Sequence, residues 1–228
     1  MAVNNYIVAS SKSWHRPSFE ELKGSLPGDW FYVESPQALE ETLKKISPRY
    51  IFFLHWSWLV SESIWSTNEC VCFHMTDVPY GRGGSPLQNL ILRGHKKTKL
   101  TALKMVGELD AGPVYGKREL ALSGTAEEIY KSAGVLSVEL IKWIVKDSPK
   151  PTPQQGKPVV FERRRPEQSE LELTQSKEAL YDFIRMLDAP GYPKAFIEQS
   201  GVRMEFSKAR WRNGDLVADV VFKKDKDY

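Results

Sequence analysis

Cysteine is nearly absent from this sequence. Cys70 and Cys72 are the only two in 228 residues, and their two-residue spacing puts both on one face of a strand, where a disulfide between them has the wrong geometry. A disulfide framework, and the oxidising compartment that goes with one, is therefore not expected. Histidine is scarce too, with four residues, none at metal-ligand spacing from cysteine or acid. No apolar run approaches the roughly 18 residues of a membrane span, and the amino terminus lacks the basic-then-apolar pattern of a secretory leader. The expectation is a cytoplasmic protein with no membrane partner. Clustered positive charge is missing as well: the net charge is +3, but lysines and arginines alternate with acids such as Glu20-Glu21, Glu40-Glu41 and Glu127-Glu128. A dispersed charge of this kind argues against a nucleic-acid surface. Nor is there a phosphate-binding or dinucleotide glycine signature. The first apolar run ends in Ser10-Ser11-Lys12-Ser13, and the glycines of 80–86 have the wrong spacing and no following Lys-Ser/Thr.

What is present is a globular balance of 41% hydrophobic and 27% charged residues, at a length that suits one ordinary domain with a small appendage. Apolar runs at 6–9, 30–33, 50–54 and 70–73 read as strands, with helices between them. Ser18 with Phe19 and Leu22, and Ser35-Pro36 with Leu39, Leu43 and Ile46, give two helix starts. The run 50–54 is apolar throughout, as in a parallel sheet covered on both faces. Strand 70–73 delivers His74 into the loop Tyr80-Gly81-Arg82-Gly83-Gly84-Ser85-Pro86, and a helix over 86–92 follows. A strand over 101–106 leads to Asp110, with a hairpin partner at 113–120. Thr125 and Glu128 then open a long amphipathic helix through Ile129, Leu136, Leu140 and Ile144. The repeated strand-loop-helix unit means an α/β, Rossmann-like, doubly wound and mostly parallel sheet, with ligands outside the carboxyl ends of the strands. The proline-rich stretch 149–156 marks a boundary, giving a catalytic domain over 1–150 and a short α+β extension over 151–228, with strands expected at 202–206 and 216–222.

A strand ending in histidine, a glycine-rich loop and an acid on another segment are the parts of an active site. His74, Pro79, Arg82-Gly83, Pro86 and Asp110-Ala111-Gly112 together resemble the signature of the formyltransferases that use 10-formyltetrahydrofolate. One position departs from it, because the family's asparagine two residues before the histidine is Cys72 here. The likeness runs from about Ile51 to Ala209, taking in a carboxyl-terminal junction around Arg164-Arg165-Pro166-Glu167, and the extension is short beside that of methionyl-tRNA formyltransferases.

The resemblance implies residue roles. His74 would be the acid–base group, Asp110 its carboxylate partner, and Cys72 would point where the family's amide meets the formyl oxygen, although a thiol is a much weaker donor. Trp56, Trp58, Leu59 and Val60, with Gly107, Glu108 and Asp110, would line a cleft for the folate; core packing is the alternative for each Trp. The acceptor would lie against Ser10, Lys12 and Trp14 on one side and Met75, Thr76, Asp77, Tyr80, Arg82, Gly83 and Gly84 on the other. Arg82 could meet a substrate phosphate or simply tie the loop down. The short forms of this family act on nucleotide-linked amino sugars in pseudaminic acid and other surface-glycan pathways. The expected partner is accordingly a UDP-linked 4-amino-4,6-dideoxy sugar rather than a nucleic acid, with no metal and with homodimerisation left open. A methionyl-tRNA formyltransferase, or a formyltransferase-like binding module impaired by Cys72, stands as the alternative.

Overall fold

In the computed structural model, which describes residues 3–224, the first elements are β1 (Asn5–Ala9), a 3-10 turn (Ser13–His15), α1 (Arg16–Ser25), β2 (Asp29–Val33), α2 (Pro36–Leu43) and β3 (Pro48–Phe53). There follow α3 (Glu62–Trp65), β4 (Cys70–His74), β5 (Tyr80–Gly83), α4 (Pro86–Leu92), β6 (Lys97–Lys104) and β7 (Val114–Ala121). The remainder holds α5 (Ala126–Asp147), β8 (Val159–Phe161), a 3-10 turn (Pro166–Ser169), α6 (Lys177–Arg185), β9 (Ala195–Gln199), β10 (Val202–Arg212) and β11 (Asp215–Lys224). These form two compact units. The first takes the chain up to Gly83, then Thr98–Leu120 and Lys131–Val160; the second takes Gly84–Lys97, Ala121–Tyr130 and the chain from Phe161 onward.

The first unit is organised by a six-stranded sheet in the order β2-β1-β3-β4-β6-β7. Strands β1, β2, β3 and β4 pair in parallel, while β6 runs antiparallel to β4. The all-apolar strand expected at 50–54 is β3, whose Ile51, Phe52 and Phe53 are almost wholly buried. One face packs Ile51 and Phe53 with Ile7, Ala9, Val33, Leu39 and Cys70, and the other stacks Phe52 between Trp30 and Tyr50. Burial on both faces is what a parallel sheet between helices requires. The chain passes from β1 to β2 on one side and returns to β3 on the other, so the carboxyl ends of β1 and β3 flank the switch point where such sheets open a crevice.

Local signals mostly hold. Ser35 caps α2, accepting a hydrogen bond from the Ala38 N–H at 3.2 Å. Ser18 does not cap α1, which begins at Arg16: the 3-10 turn has already started the winding and Pro17 supplies a helical φ in the first turn. The glycine-rich stretch is partly a strand, since β5 pairs with β8, and Gly81 and Gly83 take φ of +80° and +97°, where a side chain would be strained. Strand β6 starts four residues earlier than its apolar core suggests, its first residues being partly exposed. Among the described residues no helix is long and apolar enough to cross a membrane.

In the second unit β10 pairs antiparallel with both β9 and β11, which matches the two strands expected near the carboxyl end and adds a third. The Thr125–Glu128 capping box forms: the Thr125 N–H donates to Glu128 Oε2 at 2.8 Å and the Glu128 N–H to Thr125 Oγ1 at 3.3 Å. The Gln88 amide, buried on α4, donates to Tyr130 Oη at 3.1 Å and the Met186 carbonyl at 3.0 Å.

Arg185, only 3% exposed, donates to the carbonyls of Leu122 and Gly124 at 2.6 and 2.8 Å and to Asp182 at 2.6 Å. Arg185→Met would keep the stem but leave the Leu122 and Gly124 carbonyls without this donor and Asp182 with Lys96 alone, at 3.3 Å. We expect it to cost about 3 kcal/mol in urea unfolding monitored by circular dichroism. A loss below about 1 kcal/mol would mean that water reaches those carbonyls.

Candidate active site

Strand β4 ends in His74, which is 8% exposed. Its Nε2 lies 2.7 Å from the Gly81 carbonyl oxygen, an atom that can only accept, so Nε2 carries the proton. Its Nδ1 faces Asp110 Oδ2 at 3.4 Å, an ion-pair contact too long for a strong hydrogen bond. Nδ1 is therefore the ring nitrogen left without a proton. Asp110 follows β6 and has φ of +52°, a left-handed backbone that Asp tolerates better than most side chains. That conformation turns its carboxylate back to accept the Gly83 N–H at 3.0 Å. Sequence reasoning paired His74 with Asp110, and the fold brings them together.

Cys72 lies two residues before His74 on the same strand face and packs against the core cluster of Ile7, Ile51 and Phe53. Burial pushes its thiol far up from the usual range, and the Asp110 carboxylate pushes the same way. Cys72 is thus a protonated thiol rather than a nucleophilic thiolate. Trp56, Val60, Trp65 and Met105 pack on that same cluster. The Trp56 ring meets Phe53 edge-on at 5.7 Å and Trp58 at 4.9 Å. Trp58 is 45% and Leu59 91% exposed, so this loop presents apolar surface that the protein itself leaves uncovered. Gly107 lies beside the Trp65 ring, and Glu108 is exposed.

The expected acceptor side is divided. Ser10 is fully buried, its hydroxyl bonded within its own turn to Lys12. Lys12 Nζ sits 5.5 Å from the Trp14 ring, which meets His55 edge-on at 5.5 Å. Ser11 Oγ donates to the His55 carbonyl at 2.7 Å and lies 2.7 Å from Ser57 Oγ, tying the loop after β1 to the loop after β3. On the other side Met75 and Thr76 are buried, and Thr76 Oγ1 donates to the Gly81 carbonyl at 3.2 Å. Asp77 is held by Lys117 at 2.5 Å and Lys99 at 3.3 Å, and Tyr80 is half-buried. A side chain at Gly84 would meet the backbone of Arg163 at 2.5 Å.

Arg82 is committed within the protein. Its Nη1 pairs with Glu108 at 2.9 Å, and its Nε and Nη2 reach Gln154 Oε1 at 3.1 and 2.9 Å. Gln154 is the site residue that sequence reasoning missed. It lies in the proline-rich segment read as a domain edge, and no motif connects it to Asp110, 44 residues away.

Comparison with known proteins adds the lineage. A family model described as the methionyl-tRNA formyltransferase C-terminal domain matches residues 166–223. A solved methionyl-tRNA formyltransferase from Clostridium thermocellum is 44% identical, with 97% of this chain and 100% of that one covered at a TM-score of 0.93. A methionyl-tRNA formyltransferase from Clostridium botulinum is 26% identical over 186 residues, 78% of this chain and 60% of that protein. The chain spans 60% or less of the length of the first three curated relatives that it matches. HypX from Aquifex aeolicus, solved with tetrahydrofolic acid, shares the fold at 17% identity and a TM-score of 0.74, covering 91% of this chain and 38% of that one.

These findings correct two expectations. The nucleotide-sugar acceptor and the absence of a nucleic-acid partner are overturned, since the 44% identical structure and the curated relatives are named for methionyl-tRNA, whereas a solved sugar N-formyltransferase from Shewanella matches at only 14% identity. Small size and dispersed charge were the physical grounds for the sugar, and neither discriminates between acceptors that present the same amine.

The switch-point histidines make the fold sensitive to acid. Burial lowers His15 from 6.5 to about 4, and burial, then His15 and Lys12, lower His55 to about 3. The fold holds both rings neutral, so protons favour the unfolded chain, and stability is full above about pH 6.5 and falls as pH drops toward 4. We expect His15→Gln to remove up to roughly 3 kcal/mol of the pH dependence of unfolding between pH 7 and 4. An unchanged dependence in that variant would show that His15 is not the group responsible.

Proposed function

The chain belongs to the formyltransferase family, and we propose that it transfers a formyl group from 10-formyltetrahydrofolate to the amino group of methionyl-tRNA. The observation that carries the chemistry is the contact of His74 Nδ1 with Asp110 at the carboxyl end of a parallel strand. The acceptor is argued from the relatives' names. The residues suit the donor, because Trp58 and Leu59 offer uncovered apolar surface, and Trp56, which meets Trp58 edge-on, packs on the same cluster as Cys72. 10-Formyltetrahydrofolate supplies the formyl carbon and the nitrogen that departs from it.

His74 then moves the proton. Its Nε2–H stays fixed on the Gly81 carbonyl, leaving Nδ1 to accept a proton as the amine bonds to the formyl carbon and to return it to the departing nitrogen. The Asp110 carboxylate, 3.4 Å from Nδ1, faces the imidazolium formed between those events. Charge developing on the formyl oxygen meets that imidazolium and the neutral Cys72 thiol, and a strong amide donor is missing at position 72. Lys12 and Trp14 border the acceptor from the switch-point side.

The proposal is tested with purified protein, 10-formyltetrahydrofolate and methionyl-tRNA, reading formylmethionyl-tRNA by acid-gel shift. Formation of that product is expected, and its absence while the donor is consumed would overturn the acceptor. His74→Ala and Asp110→Asn should each lower kcat by about 10²- to 10⁴-fold with folate affinity nearly kept. Wild-type turnover by His74→Ala would sink the mechanism. Cys72→Ala should stay within about 10-fold of wild type, because a weak neutral donor is worth about 1 kcal/mol; a loss as deep as that of His74→Ala would make the thiol an essential participant.

A further inference from the structure

We propose that Gln154 is a positioning residue for the reaction: its amide fixes the backbone at Asp110 so that the carboxylate meets both His74 and the Gly83 N–H. The proposal rests on the formyl-transfer reading and deepens it by adding a residue outside the family signature.

The Gln154 amide uses all four of its hydrogen-bonding sites. Nε2 donates to the Asp110 carbonyl at 2.7 Å and the Gly112 carbonyl at 2.8 Å, while Oε1 accepts from Arg82 Nε at 3.1 Å and Nη2 at 2.9 Å. Its orientation is forced, because a flipped amide would set oxygen against two carbonyls and N–H groups against a guanidinium. The segment that carries it is registered as well: Thr152, two residues earlier, exchanges both backbone hydrogen bonds with Val114 at 2.7 and 2.9 Å.

The loop it grips closes on itself through the Ala111 N–H, which donates to the Glu108 carbonyl at 3.3 Å. Asp110 holds φ of +52°, a conformation unfavourable for a residue with a Cβ that persists where its surroundings impose it. At its far end the loop is pressed onto β6, since a Cβ on Gly112 would lie 1.8 Å from the Lys104 carbonyl oxygen and the Lys104 N–H donates to the Pro113 carbonyl at 2.9 Å. Nearer the acid, the backbone is held by Gln154. Without that amide the Asp110 and Gly112 carbonyls turn to water, φ relaxes and the carboxylate swings off His74. Arg82 completes the clamp by holding Gln154 and Glu108 at once.

Gln154→Glu is the informative variant. It is isosteric and keeps its grip on Arg82, but sets a carboxylate oxygen against the two carbonyls. We expect kcat to fall about 10- to 100-fold, as a displacement near 1 Å does, with KM for both substrates within about 3-fold. In an Asp110→Asn background the same change should cost less than about 2-fold more, because a residue acting through Asp110 has nothing left to position. Independent of turnover, the Gly83 amide resonance should shift in Gln154→Glu in the same direction as in Asp110→Asn, and its proton should exchange faster. Wild-type kcat in Gln154→Glu, a full additional loss in the double variant, or an unmoved Gly83 amide would each overturn the proposal. If wild type transfers no formyl group, the functional reading fails while the Gly83 amide still decides whether Gln154 positions Asp110.

Discussion

The constraint on which the rest depends is that β1, β3 and β4 run in one direction. Parallel pairing needs strands buried on both faces, and the apolar run of β3 meets that demand. Its consequence is geometric, since three strand ends with their following loops open at the same edge of the sheet. His74 leaves from one of them, Trp14 and His15 from the second, and His55 and Trp56 from the third. No single loop could supply a histidine facing a carboxylate, an uncovered apolar surface and a polar rim; a parallel sheet supplies them as a by-product of its connectivity.

Much of this was legible because the informative features are local. An alternation of 3.6 or 2 and a cap within four residues fix most element types, and Ser35 and Thr125 behave as their spacing predicts. His74 and Asp110 were legible for another reason, as they fall with Pro79, Arg82-Gly83, Pro86 and Ala111-Gly112 into the pattern that resembles the family signature. Ser18 was misread because proline and a preceding 3-10 turn can start a helix without a capping side chain. The pairing of β5 with β8 and the grip of Gln154 on Asp110 were hidden, since both join segments more than 40 residues apart through partners that any polar loop could contain. The acceptor was misread because charge counted along a sequence carries no information on where a large substrate rests.

Cys72 shows how a departure from a family pattern can be tolerated. Desolvation and the Asp110 carboxylate both oppose ionisation of this half-buried thiol and outweigh a backbone hydrogen bond that favours it, so the proposed mechanism meets a small, soft, neutral group at position 72. In the proposed mechanism the formyl oxygen then faces the transient imidazolium, which raises the demand on the contact between His74 and Asp110. The proposed mechanism therefore places its tolerance at position 72 and its intolerance at position 110.

The hydroxyl of Ser11 has one proton, and it goes to the His55 carbonyl. Toward Ser57 it can then only accept, so a directed chain runs from Ser57 through Ser11 to the backbone at His55, stitching the two lips of the switch-point crevice. Lips joined in this way share their thermal fluctuations. A molecule entering between them has little loop disorder left to freeze, so more of its contact energy appears as affinity and less is spent on ordering its host.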